Sequence, residues 1–101
     1  MRKRIRLLAP AEQEMFNAAL FYDRQAIGLG ADFLDSVELA LKQIIDAPER
    51  WLLATATIRR FILNRFPYSL LYQIETEEII VLAVMHQKRH PAYWLPRINR
   101  N

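Results

Sequence analysis

The sequence predicts a two-layer α+β fold, β-α-α-β-β-β, with a helical hairpin packed on a mainly antiparallel sheet. Three observations predict it. Two stretches with helical apolar spacing are separated only by the punctuation of Gly28 and Gly30. Three later stretches, rich in β-branched and aromatic residues, follow one another with short breaks. The N-terminus adds a stretch that alternates basic and apolar residues. Helices grouped together and strands grouped together build separate layers rather than repeating βα units.

Residues 3–8, KRIRLL, form the first strand, half-buried by their alternation. Pro10 suits the first turn of a helix, and Glu12 and Glu14 suit its positive end. Met15, Phe16, Ala19 and Leu20 then recur at helical spacing, and Gly28 and Gly30 stop the run. A second helix starts near Ala31 or Asp32, with Phe33, Val37, Leu41 and Ile44 as its apolar stripe, widened by Leu34 and Ile45. Glu38 and Lys42 form a favourable pair on its other side, and Pro48 ends it. So short a join makes the two helices an antiparallel hairpin.

Residues 55–63 are the next strand, followed after Phe66-Pro67 by residues 68–74, YSLLYQI. The polar tetrad Glu75-Thr76-Glu77-Glu78 is a hairpin turn into residues 79–85. Seven consecutive apolar residues there indicate a strand covered on both faces, central in the sheet, with the first strand as its extra neighbour. The helices cover one sheet face. The other needs either a partner or Trp51, Leu52 and Tyr93-Trp94-Leu95 folded back over it.

With 101 residues, 52% hydrophobic and 25% charged, the chain is expected to be one globular domain over residues 1–101. Its charge is divided. Residues 1–6 hold four basic side chains and no acid, residues 7–50 hold three basic against eight acidic, and residues 51–101 hold seven basic against three acidic. Such a division suits polyanions or an acidic partner on the basic side. No cysteine is present, in keeping with a reducing cytosol and without any thiol chemistry. The basic N-terminus lacks an apolar h-region, and the longest apolar run is too short to cross a bilayer. A cytoplasmic protein with no membrane partner is expected.

Several chemistries lack their residues. No glycine loop cradles a phosphate, Ser36 and Ser69 have no triad context, and the acidic residues form no convincing catalytic pair. His86 and His90 stand four apart, yet a strand runs into the first, Pro91 follows the second, and no third ligand is evident. No metal and no other cofactor is expected. What remains is basic and aromatic, concentrated in residues 84–94, VMHQKRHPAYW. Cleaving RNA through its own 2′-hydroxyl needs a base, an acid and cations around the phosphate. His86 or Tyr93 could move protons; Arg59, Arg65, Lys88 and Arg89 could hold a phosphate; Tyr93 or Trp94 could stack on a base. Adjacent Arg59 and Arg60 point to opposite sheet faces, so at most one serves a common site. A histidine at a strand end, like a tryptophan in a small core, is also a common structural feature.

The order Ile58-Arg59-Arg60, then Arg65-Phe66-Pro67-Tyr68 with Leu71-Tyr72, then Ile79-Ile80-Val81-Leu82-Ala83-Val84 leading to His86 and Arg89, resembles the RelE/ParE superfamily. These are toxins of bacterial type II toxin–antitoxin modules. The resemblance takes in the first strand and the helical hairpin, and so nearly the whole chain. It implies a small growth-arresting toxin that rests as a hetero-oligomer with a cognate antitoxin, whose acidic or amphipathic segment wraps its surface. RelE-like members cut mRNA on the ribosome, whereas ParE-like members poison DNA gyrase and are not enzymes. Lysine is scarce here (Lys3, Lys42 and Lys88), and no basic residue lies between Tyr68 and Met85. Together with an ending over residues 86–94 that resembles the ParE or plasmid-stabilisation type, this favours the gyrase branch. Arg59, Arg60, Arg65, His86, Lys88, Arg89, Tyr93 and Trp94 are then contacts to target or antitoxin. The alternative is a ribosome-dependent nuclease using Arg65, His86 and Tyr93. A third reading is a non-toxic member serving only as a binding or autoregulation partner.

Overall fold

The structure, a computed structural model, describes residues 2–90 and 92–98. Its elements run β1 (Arg4–Leu7), α1 (Ala9–Gln25), α2 (Leu29–Asp46), β2 (Leu52–Leu53), β3 (Ile58–Ile62), β4 (Tyr68–Ile74) and β5 (Glu78–His86), then a 3-10 turn at Leu95–Arg97. The sheet order is β1-β5-β4-β3-β2. β1 runs parallel to β5 and the other neighbours are antiparallel. The α+β hairpin-on-sheet architecture is therefore as predicted, with the short edge strand β2 added. β2 pairs Leu52 with Arg60 and Leu53 with Arg59.

α2 begins at Leu29, earlier than the apolar stripe alone indicates. Gly28 precedes it at φ 89, a left-handed conformation that costs glycine nothing. The Asp23 carboxylate, from the end of α1, accepts the N–H groups of Gly28 and Gly30, both at 3.1 Å. It serves donors that a helix start leaves without intrahelical partners. Gly30 has a different task. A methyl group there would run into the Ala19 carbonyl, so the glycine lets the two helices approach closely.

The stripe predicted for α2 faces the core, with Phe33, Val37 and Ile44 buried. The α1 face differs from expectation. Ala11, Ala18 and Ala19 are its buried residues, while Phe16 and Leu20 are 47% and 57% exposed. Small side chains bring α1 down close to the sheet, and this rotates the larger ones outward.

β5 is central and buried on both faces from Ile79 to Met85. Its pairing with β4 slips once: Leu71 faces Ala83 while Tyr72 faces Val81, leaving Leu82 as the extra residue of a bulge. In consequence Ile79, Val81 and Val84 join the helix-side core, and Leu82 and Ala83 both join a second core on the opposite face. That second core comprises Leu8, Ile58, Leu71, Ile80, Leu82, Ala83, Met85 and Trp94, with Tyr93 and Ile98 packed against it.

The uncovered face predicted for the sheet is thus partly closed by the chain's own C-terminal segment. Trp94 supplies the cover, only 3% exposed. Trp51 does not. It lies on the helix side, 4.5 Å from the Phe61 ring, because Arg59 draws its loop to that face. Leu52 and Leu95 also leave the face open, at 72% and 44% exposed.

Candidate functional site

β1 ends at Leu7, while β5 continues to His86. The last backbone bond on that side of β5 is Leu8 N–H to the Val81 carbonyl. Past it, β5 has lost its parallel neighbour, and side chains take over. The Val84 N–H donates to Glu14 Oε1 at 3.1 Å, and Arg97 Nη1 donates to the Leu82 carbonyl at 2.9 Å. The same two side chains pair with each other through both oxygens, at 3.0 Å each, and each is only 19% exposed. The Tyr93 hydroxyl donates to Glu14 Oε2 at 2.8 Å. Glu14 therefore accepts four hydrogen bonds, and the cluster fastens the C-terminal segment to α1 and to the bulged part of β5.

Above this clasp lies a recess of about 300 Å³ between α1 and the end of β5, lined by His86, Arg89 and Tyr93 together with Asn17, Phe21 and Tyr68. The His86 ring meets Tyr68 edge-on at 5.0 Å, and its Nδ1 accepts the Lys88 N–H at 3.0 Å, which shapes the turn after β5. The Arg89 guanidinium stands 4.0 Å from the centre of the Tyr93 ring, and Arg97 stands 5.0 Å from it. Lys88 and Arg89 are exposed on the turn. The Tyr93 phenol is held well above the usual range, chiefly by burial and then by its bond to Glu14 and that carboxylate's charge. Its proton stays in place at neutral pH, and the hydroxyl donates to Glu14.

The remaining predicted contacts lie elsewhere. Arg59 points to the helix side and donates through Nη1 to the Glu49 and Trp51 carbonyls, at 3.0 and 2.7 Å, pinning the loop between α2 and β2. Arg60 points to the opposite face, as the strand alternation requires, with Nε on Ser69 Oγ at 3.1 Å. Arg65 sits in the β3–β4 loop, paired with Asp32 at 3.1 Å and lying over Phe66 at 5.3 Å. It lines a separate, smaller recess beside Asn64 and Gln43. Trp94 belongs to the second core, its indole Nε1 buried without an acceptor among the described residues.

The structure thus gathers His86, Arg89 and Tyr93 and leaves Arg59, Arg60, Arg65 and Trp94 apart from them. Pro91 of the C-terminal segment lies outside the described residues. Sequence reasoning missed Glu14 and Arg97. The available signal was helical spacing: Glu14 lies three after Ala11 and four before Ala18, on the face α1 buries. Among the described residues, no three His, Cys, Asp or Glu side chains come together as a metal-binding group. Among those residues, no helix is long and apolar enough to cross a membrane.

Residues 5–91 match the family described as ParE toxin of type II toxin-antitoxin system, parDE. Among solved structures, the chromosomal ParDE TA system from P. aeruginosa contains a similar chain, with a TM-score of 0.75 and 12% sequence identity. The match covers 84% of the present chain and 96% of that one. No curated protein sequence matches.

Proposed function

The chain belongs to the ParE toxin family of type II toxin–antitoxin systems, and from that premise we propose that it arrests growth by binding and poisoning DNA gyrase. In this reading it is not itself a nuclease, and a cognate antitoxin holds it at rest in the cytoplasm. The turn after β5 is the target-binding surface. Exposed Lys88 and Arg89 meet acidic groups there, while His86 and Tyr93 fix the turn beneath them. The P. aeruginosa neighbour, a ParDE system, supports pairing with an antitoxin.

One observation carries the preference for binding over cleavage. Tyr93, one of the two proton-moving candidates that line the recess, gives its hydroxyl hydrogen to Glu14, and burial opposes its ionisation. A general base needs a pKa near the working pH, and this phenol is moved the other way. Arg65, the phosphate-holding candidate of the nuclease reading, is paired with Asp32 and lines another recess. Lys88 and Arg89 supply an exposed positive surface on the turn, which suits recognition.

The test is to mix antitoxin-free protein with gyrase, supercoiled DNA and ATP, then look for protein-linked linear DNA after detergent and protease. Dose-dependent linear product, reduced at least tenfold by Arg89→Ala, is expected. A folded protein that arrests growth and yields no linear DNA, but cleaves mRNA on ribosomes, would overturn the gyrase reading.

A further inference from the structure

The recess between α1 and the end of β5 offers mainly hydrogen-bond donors. Glu14 is the one carboxylate among the residues lining it, and its four hydrogen bonds occupy the roughly four lone-pair positions a carboxylate has. Two of those bonds come from Arg97, which also cancels its charge. Asn17 is engaged on one side only. Its Oδ1 accepts the Gln13 amide at 3.0 Å, so the Asn17 NH2 is the end left to bind. His86 is constrained in the same sense. Its Nδ1 accepts the Lys88 N–H at 3.0 Å, which puts the ring proton on Nε2 as a donor.

Arg89 completes the set. Its guanidinium stands 4.0 Å from the centre of the Tyr93 ring, and among the described residues no carboxylate pairs with it. The ring fixes the guanidinium without supplying an oxygen acceptor for its N–H donors. The turn that carries it is held as well, by the Gln87 N–H on the Pro67 carbonyl and the Arg89 N–H on the His86 carbonyl, both at 2.9 Å. These donors are in place before a ligand arrives, which spares the ordering cost of binding. Beside them Phe21 presents an apolar ring that is 52% exposed. A cation, two neutral donors and an exposed ring in one recess match a nucleotide unit: the phosphate takes the donors, and the sugar or base takes the ring. An aspartate or glutamate side chain leaves the Phe21 ring unused. The volume, about 300 Å³, stands at the lower end of ligand sites, roughly 300–1,000 Å³, and so admits one such unit.

We propose that this recess binds a phosphodiester of the DNA held by gyrase, with Arg89, Nε2 of His86 and the Asn17 amide on the phosphate oxygens and Phe21 against the adjoining nucleoside. The proposal rests on the gyrase reading above and deepens it: the acidic group that Arg89 meets is a phosphate of the DNA. A ligand accumulates the cleaved state only by binding it better than the uncleaved one, and a contact to the DNA strand supplies such a difference.

The test mixes the antitoxin-free full chain with gyrase and a duplex carrying 5-iodouracil around its gyrase cleavage site, irradiates it under trapping conditions and maps the cross-linked peptides. Cross-links at Phe21 or between His86 and Arg89 are expected; cleaved DNA that accumulates with no cross-link at either place overturns the proposal. The mixture is also titrated with Asn17→Asp and Phe21→Ala, which change exposed side chains. The concentration giving half-maximal linear DNA is expected to rise by about fivefold or more, while binding to gyrase without DNA stays within about twofold of wild type. An equal loss of DNA-free gyrase binding would mean that the recess meets protein, and it overturns the proposal. Unchanged trapping by both variants, with unfolding that matches wild type, does the same. Should either variant unfold, cross-linking of the wild-type chain decides alone. If wild type itself yields no linear DNA, the gyrase reading fails and the proposal with it; trapping that ignores the recess sinks the proposal alone.

Discussion

Glu14 is the residue on which the C-terminal segment hangs. Its carboxylate gathers a backbone N–H, a phenol and a guanidinium at the point where β5 outruns β1. Removing one partner of a largely buried ion pair leaves the other uncompensated, so Glu14→Gln should lower stability by about 3 kcal/mol. Arg97→Ala should act similarly, and the double variant should fall short of the sum by more than about 1 kcal/mol in urea unfolding. Additive losses would show that the two side chains do not work as one clasp. Tyr93→Phe removes only the hydroxyl and should cost about 1 kcal/mol, with the ring still available to Arg89. Little of this was legible in the sequence. Glu14 reads locally as an acid at a helix start, and its partners lie 79 and 83 positions away. His86, Arg89 and Tyr93 were legible because one short segment carries all three. Their separation from Arg60 and Arg65 was not.

At the level of elements, the two glycines between the helices make unequal contributions. Gly28 needs its positive φ but has open space around it, so Gly28→Ala should cost about 1 kcal/mol from backbone strain alone. Gly30→Ala forces the helices apart against the Ala19 carbonyl and should cost about 1–3 kcal/mol, the larger of the two losses, in thermal or urea unfolding. The reverse ranking would mean that α1 and α2 yield easily at their closest approach. The existence and type of each main element followed from periodicity, because helices and strands repeat at different spacings. The faces were less secure. A helix resting on a sheet through alanines buries its smallest residues, and counting large apolar side chains then selects the wrong stripe for α1. The two-residue β2 was invisible for a simpler reason: a pattern needs more than two positions.

The whole molecule records its packing in its four tyrosines, Tyr22, Tyr68, Tyr72 and Tyr93. All four phenols are raised above the usual value, with burial the leading cause in each, and Tyr72 is pushed up to about 12. A raised folded-state value means the unfolded chain gives up its phenolic protons first. The stability these groups contribute is therefore full below about pH 10 and is lost as pH rises toward the folded values. Alkaline titration of the native protein should show little phenolate near pH 10, then a cooperative rise coinciding with unfolding. Gradual ionisation of several tyrosines in a still-folded chain would contradict that.

The sequence by itself determined the order and type of the main elements, the central place of β5, and the resemblance that family membership later made firm. These depend on local spacing and on contiguous motifs, which a chain displays before it folds. Tertiary structure decided which side of the sheet each arginine serves, what covers the second face, and which carboxylate holds Tyr93. The last of these turns on a bulge at Leu82 and on where β1 stops beside β5. Such events shift side chains between faces and leave backbone groups for distant side chains to satisfy, so neighbours in sequence carry no trace of them.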